Sequence, residues 1–173
     1  IKCTILRDID STHFDYNKYV LYMDDGNVPI LAAFRHHHTI HSYYDIKMIT
    51  NASDDEPSKG LTIGQLELNF MGTEFLLHNS VQGHQGSPRD MVCIVYEANR
   101  VGSKGPRKMR VGLPSVVDEK CEYHPFEHTG NKNAAITTSL KSLLVSNLIP
   151  LLNKPPKWNP KKGAYMLDFK GRV

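Results

Sequence analysis

A chain of 173 residues, 40% hydrophobic and 23% charged, has the size and composition of one globular domain with a sizeable core, which excludes disordered and fibrous classes. A formal net charge of +3 and a pI near 8.7 tolerate an anionic partner without requiring one, and argue against a nucleic-acid groove, which needs a continuous basic surface. No stretch approaches the roughly 20 apolar residues of a membrane helix, and the first residues lack the apolar centre of a signal peptide, so any membrane contact is expected to be peripheral.

In chain order, Ile1 to Asp8 reads as a strand. Tyr19–Met23 and Val28–Phe34 read as two antiparallel strands joined by a turn centred on Asp25-Gly26. Further strands are expected at Tyr43–Thr50, Gly64–Phe70, Thr73–His78, Met91–Glu97, Lys108–Pro114 and Ala164–Lys170, separated by polar loops over 51–60 and 79–88. This spacing is that of an all-β barrel or sandwich. Within Ala134–Leu152, Ile136, Leu140, Leu143, Leu144 and Leu148 recur at three- and four-residue intervals up to Pro150, so the first half is expected to be a short helix and Leu148–Leu152 a return to strand. Cys3, Cys93 and Cys121 have neither disulfide nor metal spacing; they read as buried thiols of a protein in a reducing compartment, cytosolic or nuclear.

No enzyme motif is present: there is no Gly-x-Ser-x-Gly, Walker-type loop, His-Glu-x-x-His or Cys-x-x-Cys, and the Asp24-Asp25 and Asp54-Asp55-Glu56 carboxylates fall in turns or loops. The expectation is a non-enzymatic protein without a cofactor. One local bias stands out, Arg35-His36-His37-His38 with His41 nearby. On a strand only His36 and His38 share a side, and no Asp, Glu or Cys matches them, so no metal site is assigned to the run. The run remains open to two other readings, a solvated face or an anion site whose imidazoles gain charge as the pH falls through roughly 6.5.

Three ordered strings carry a family resemblance: Asn69-Phe70-Met71-Gly72-Thr73-Glu74-Phe75, the glycine-rich basic string from Tyr96 to Met109, and Asn153-Lys154-Pro155-Pro156-Lys157-Trp158-Asn159 continuing to Tyr165–Val173. They resemble the tubby C-terminal domain family. The resemblance implies a mainly β (α+β) fold, a closed antiparallel β-barrel with short peripheral helices around a central hydrophobic helix from the end of the domain. On that pattern the remaining strands and the central helix would follow Val173, so residues 1–173 are expected to form a single domain truncated at its C-terminal end. Trp158, inside the third string, is expected to anchor the core.

The resemblance also implies a membrane-associated adaptor, cytoplasmic and peripheral at the plasma membrane or cilium with the nucleus possible. Its partners would be phosphatidylinositol 4,5-bisphosphate or another anionic lipid, and a protein cargo or scaffold. Phosphate recognition needs converging Lys and Arg donors. The family's run of consecutive cations falls on Phe34 to Ile40, where only Arg35 keeps a permanent charge and His36, His37 and His38 replace the rest. A second pair of family cations falls on Gln65 and Glu67. Candidate phosphoinositide contacts are therefore Arg35, His36, His37, His38, Lys104, Arg107 and Lys108, with Gln65 and Glu67 as departures that weaken the site or leave it pH-dependent. Lys104, Arg107, Lys108 and Arg110 equally suit a turn held by Gly102, Gly105 and Pro106 whose cations face solvent. The alternative function is a protein-interaction or structural module, in a cilium or flagellum, that has lost lipid binding, with a transcription-associated factor, also implied by the resemblance, less favoured by the modest charge.

Overall fold

Alternating apolar residues, broken by polar turns, lay down strands along the chain, and most strands pair with the next in sequence. The computed structural model describes residues 2–9, 17–25, 28–37, 42–49, 60–79, 87–97, 108–117, 122–128, 135–142 and 146–167. The elements are β1 (Cys3–Ile9), β2 (Asn17–Met23), β3 (Val28–His37), β4 (Ser42–Met48), β5 (Leu61–Leu68), β6 (Glu74–Asn79), β7 (Asp90–Tyr96), β8 (Met109–Pro114), α1 (Ala135–Ser142), β9 (Leu148–Leu152), β10 (Lys157–Asn159) and β11 (Ala164–Met166). Strands β1 to β9 form one antiparallel sheet in sequence order, and β10 pairs with β11 in a separate hairpin. The expected mainly β architecture with one short helix is present. Among the described residues, β1 and β9 stand at the two ends of the sheet order.

The Asn69-Phe70-Met71-Gly72-Thr73 string is the turn between β5 and β6, and its chemistry is visible residue by residue. Asn69 Oδ1 accepts from the backbone N–H of Thr73 (2.8 Å) and Glu74 (3.1 Å), while its Nδ2 donates to Thr73 Oγ1 (3.0 Å). Gly72 has φ of 62°, the left-handed conformation that a side chain disfavours by roughly 1–2 kcal/mol. This geometry leaves Phe70 90% and Met71 74% exposed at the tip.

Strand alternation gives the sheet two faces. On one, α1 lies over β7, β8 and β9, burying Ile136 and Leu140 against Cys93, Val95 and Leu148, with Phe126 closing the cluster. Each such side chain contributes roughly 1.5–3 kcal/mol on burial. Gly112 makes this approach possible, because a Cβ there would stand 2.8 Å from Cys93 Sγ and 3.2 Å from both Leu148 methyls. On the other face Leu31, Ile46, Leu77, Val92, Leu113 and Ile149 line an open apolar groove of about 510 Å³.

Several expectations need correction. Cys3 is exposed, because among the described residues β1 stands at the end of the sheet and residues 2–7 are uncovered; Cys93 is fully buried as expected, and Cys121 lies outside the described residues. Trp158 is 55% exposed rather than a core anchor: it meets Tyr165 edge to face (5.1 Å) across the small β10–β11 hairpin, which is not part of the nine-stranded sheet. Strand β5 begins at Leu61 and stops before the turn, so Phe70 is in the turn rather than the strand. β11 ends at Met166, and residues 168–173 lie outside the described set, as does most of the loop segments 51–60 and 79–88.

Candidate functional site

β3 runs on to His37, so the basic-to-histidine run obeys strand alternation and its first two members separate onto opposite faces. Arg35 turns to the groove side, its guanidinium 5.9 Å from the centre of the Tyr44 ring. Burial raises the Tyr44 phenol's pKa, against the opposing charge of Arg35, and Tyr19, edge to face at 6.0 Å, adds to the rise. His36 turns to the helix side, stacks on Tyr43 at 4.8 Å and places Nε2 2.9 Å from Asp45 Oδ2. Gln65 Nε2 donates to the other oxygen of Asp45 at 2.8 Å.

The register then assembles two cross-strand rows on that one face. Phe34, Asp45, Gln65, His78 and Asp90 are successive partners, and so are His36, Tyr43, Glu67 and Leu76. Of the positions singled out on β3 and β5, His36, Gln65 and Glu67 therefore share a face, with His36 and Glu67 flanking Tyr43 and Gln65 beside Asp45, whereas Arg35 lies on the other face. What the rows carry is two imidazoles, an amide and three carboxylates, with Asp45 already engaging His36 and Gln65.

Lys108, 71% exposed along its side chain, sits at the start of β8 with Nζ 3.6 Å from Glu97. Such a surface pair is worth little, roughly 0–1 kcal/mol. Arg110 is half-buried on β8. Lys104, Arg107 and His38 lie outside the described residues, and of His37 only the backbone position at the end of β3 is described.

Sequence reading missed a second cluster that grows from the same rows. A bulge between Leu77 and His78 sets Asp90 directly opposite His78, and the segment 122–128 is stitched to the start of β7 by Asp90 N–H to Phe126 O (2.7 Å) and His128 N–H to Pro88 O (2.8 Å). That lays the His128 ring on the His78 ring, centroids 4.0 Å apart and planes 23° apart. Glu67 Oε1 stands 3.6 Å from His78 Nε2 and 3.9 Å from His128 Nε2. Asp90, 1% exposed, accepts from His128 Nδ1 at 2.8 Å, and His78 Nδ1 donates to the Asn79 carbonyl at 3.3 Å.

Burial alone would strip the proton from His78, but Glu67, the Asn79 carbonyl and Asp90 outweigh it, so its pKa lies above the ordinary imidazole value. Burial pushes the Asp90 carboxyl up, against the pull of His128 and His78. His78 Nε2 and Asp90 Oδ2 are both buried without a hydrogen-bond partner. Among the described residues, Glu67, His78 and His128 are the group whose ligand atoms, all within 4.8 Å of one another, could hold a metal ion. Nothing in the spacing of these residues signals the cluster, since His128 reaches His78 only through the fold.

Comparison with known proteins gives the same direction from end to end of the chain. Tubby-related protein 3 from Homo sapiens is 28% identical over 189 aligned residues, covering all of this chain and 41% of that protein, and human Tubby-related protein 1 is 28% identical over 186, covering 33% of its length. Protein king tubby 2 from Aedes aegypti is 34% identical over 113 residues, 64% of this chain and 27% of the mosquito protein. The chain thus spans between about a quarter and two fifths of the length of these relatives. The family model described as the Tub family matches residues 1–173, and the chain belongs to that family.

Proposed function

We propose that this chain is a non-enzymatic, membrane-peripheral adaptor domain of the tubby type whose phosphoinositide headgroup site is weakened. The observation that carries the proposal is the neighbourhood of Glu67. The rows that gather the family's cation positions hold His36, Asp45, Gln65 and Glu67, and the same strand runs directly into the exposed Phe70-Met71 tip. Two charge-assisted phosphate contacts replaced by an amide and a carboxylate remove roughly 3–6 kcal/mol, or two to four decades of affinity, relative to a fully cationic pocket. The His36–Asp45 contact supports a weakened site, because the carboxylate 2.9 Å from the imidazole opposes an anionic headgroup there. The exposed aromatic and thioether side chains offset part of the loss by entering the acyl boundary, each worth up to roughly 1.5–3 kcal/mol if fully buried.

The apolar groove supports the finer architectural reading, a barrel wall whose inner face receives an apolar axis. A protein-interaction module without lipid binding is the second reading, favoured by the carboxylates Asp45 and Glu67 at the headgroup position. Co-sedimentation with phosphatidylcholine vesicles, with and without phosphatidylinositol 4,5-bisphosphate, separates the two. The adaptor reading expects weak binding that depends on the bisphosphate and falls about tenfold in Phe70→Ala/Met71→Ala. Absence of binding to either vesicle would establish the second reading instead.

A further inference from the structure

We propose that Glu67, His78 and His128 form a binding site for a single divalent transition-metal ion, with zinc the best match to its donors. The site goes beyond the lipid reading and does not depend on it. Two imidazole nitrogens and a carboxylate oxygen are a donor set that zinc takes readily, in three-ligand sites that leave a fourth position for water or an anion.

The hydrogen bonds on the far side of each ring set the polarity of the site. A carbonyl only accepts, so His78 Nδ1 carries the hydrogen it gives to Asn79 O; Asp90 plays the accepting role for His128 Nδ1. In the neutral rings both Nε2 atoms are thereby left to aim lone pairs at Glu67 Oε1. Three acceptors facing one another repel unless a proton on an imidazole or a metal ion lies among them. His78 Nε2 makes the need concrete: the residue is only 7% exposed, the atom has no hydrogen-bond partner, and 3.6 Å to Glu67 is too long for one.

A carboxylate behind one histidine and a backbone carbonyl behind the other are also the outer partners that fix ring orientation at ligated histidines. Charge closes as well, since the carboxylates of Glu67 and buried Asp90 together neutralise a dication. Ligands about 2.1 Å from a tetrahedral zinc stand about 3.4 Å apart. The observed edges, 3.6 and 3.9 Å to Glu67 and all within 4.8 Å, close to this spacing when side chains rotate and the two stacked rings splay so that their lone pairs converge. Glu67, 46% exposed along its side chain, lies on the solvent side and gives an ion its way in.

The test is titration of the tag-free chain with zinc chloride by calorimetry after removal of metals with EDTA, with cobalt(II) absorption as a second readout. The expected result is one ion per chain, a cobalt ligand-field band of low-coordinate type, and a zinc-dependent rise in unfolding temperature. Glu67→Gln, a near-isosteric change on a half-exposed side chain, and His128→Gln should each weaken binding by at least about tenfold and suppress the cobalt band. His36→Gln/His37→Gln/His38→Gln should bind as the unaltered protein does. Loss of binding in that triple variant, no change in Glu67→Gln, or no saturable binding at all would each overturn the proposal.

Discussion

Replacing Gly112 by alanine tests how tightly α1 is held to the sheet. The added Cβ would lie 2.8 Å from Cys93 Sγ, well inside any normal carbon–sulfur contact, and 3.2 Å from both Leu148 methyls. Leu148 can yield by rotating, but Cys93 is fully buried beneath Ile136 and Leu140, with its thiol directed at the Ile136 carbonyl (3.6 Å). Overpacking of this kind costs about 1–3 kcal/mol, while reduced freedom of the unfolded chain returns about 0.4–1, so Gly112→Ala should destabilise by about 1–2 kcal/mol. Urea unfolding followed by circular dichroism reads this as a lower midpoint at unchanged slope. In a Cys93→Ala background the clash disappears, and the same substitution should cost at least about 1 kcal/mol less. Additive effects in the double variant, or a stabilised single variant, would refute the packing argument.

Other consequences are as specific. Asn69→Ala removes three hydrogen bonds from the β5–β6 turn; at about 0.5–1.5 kcal/mol each, and with water replacing some at this half-buried site, the loss should be about 2 kcal/mol, and an unchanged unfolding midpoint would contradict the role given to Asn69. Burial raises the Cys93 thiol pKa to about 11 from 9.0, cutting its thiolate fraction at pH 8 about a hundredfold before access is considered. Iodoacetamide at that pH should label exposed Cys3 and leave the Cys93 peptide unmodified, and the reverse pattern in peptide mass spectra would show that α1 does not cover it. Truncating Ile136, which is fully buried, to alanine should cost about 2–5 kcal/mol, with a loss below 1 showing a loosely docked helix.

The strands were legible because apolar runs and turn residues alternate on a scale that local chemistry sets: nearly every expected strand is present, with ends displaced by at most four residues. The helix at Ala135–Ser142 and the return to strand at Leu148 were equally plain from periodicity and Pro150. Exposure was less legible. Cys3 and Trp158 are types that usually bury, but burial depends on what an edge strand or a small hairpin packs against, and no local pattern encodes that.

The same division runs through the site. The family resemblance points to His36, Gln65 and Glu67, and register places them on one face. Asp45 went unnoticed because nothing local tells which carboxylate on β4 will face a histidine on β3. His78, Asp90 and His128 were invisible for a stronger reason: a bulge and a long connection create their contact, and neither has a spacing signature. The string from Tyr96 to Met109, which carries the resemblance so clearly, contributes to the described structure mainly through Tyr96, Glu97, Lys108 and Met109.

The most direct measurement of the central claim, a tubby-type scaffold whose headgroup site has been weakened by Gln65 and Glu67, is a vesicle-binding isotherm for Gln65→Lys/Glu67→Arg beside the unaltered chain. It should be run in EDTA, so that loss of the proposed metal ligand Glu67 does not enter. Restoring two cations is predicted to raise affinity for vesicles containing phosphatidylinositol 4,5-bisphosphate by at least about a hundredfold, with little change on pure phosphatidylcholine. An unchanged isotherm, or an equal gain on both vesicles, would contradict the claim that these positions form a headgroup site.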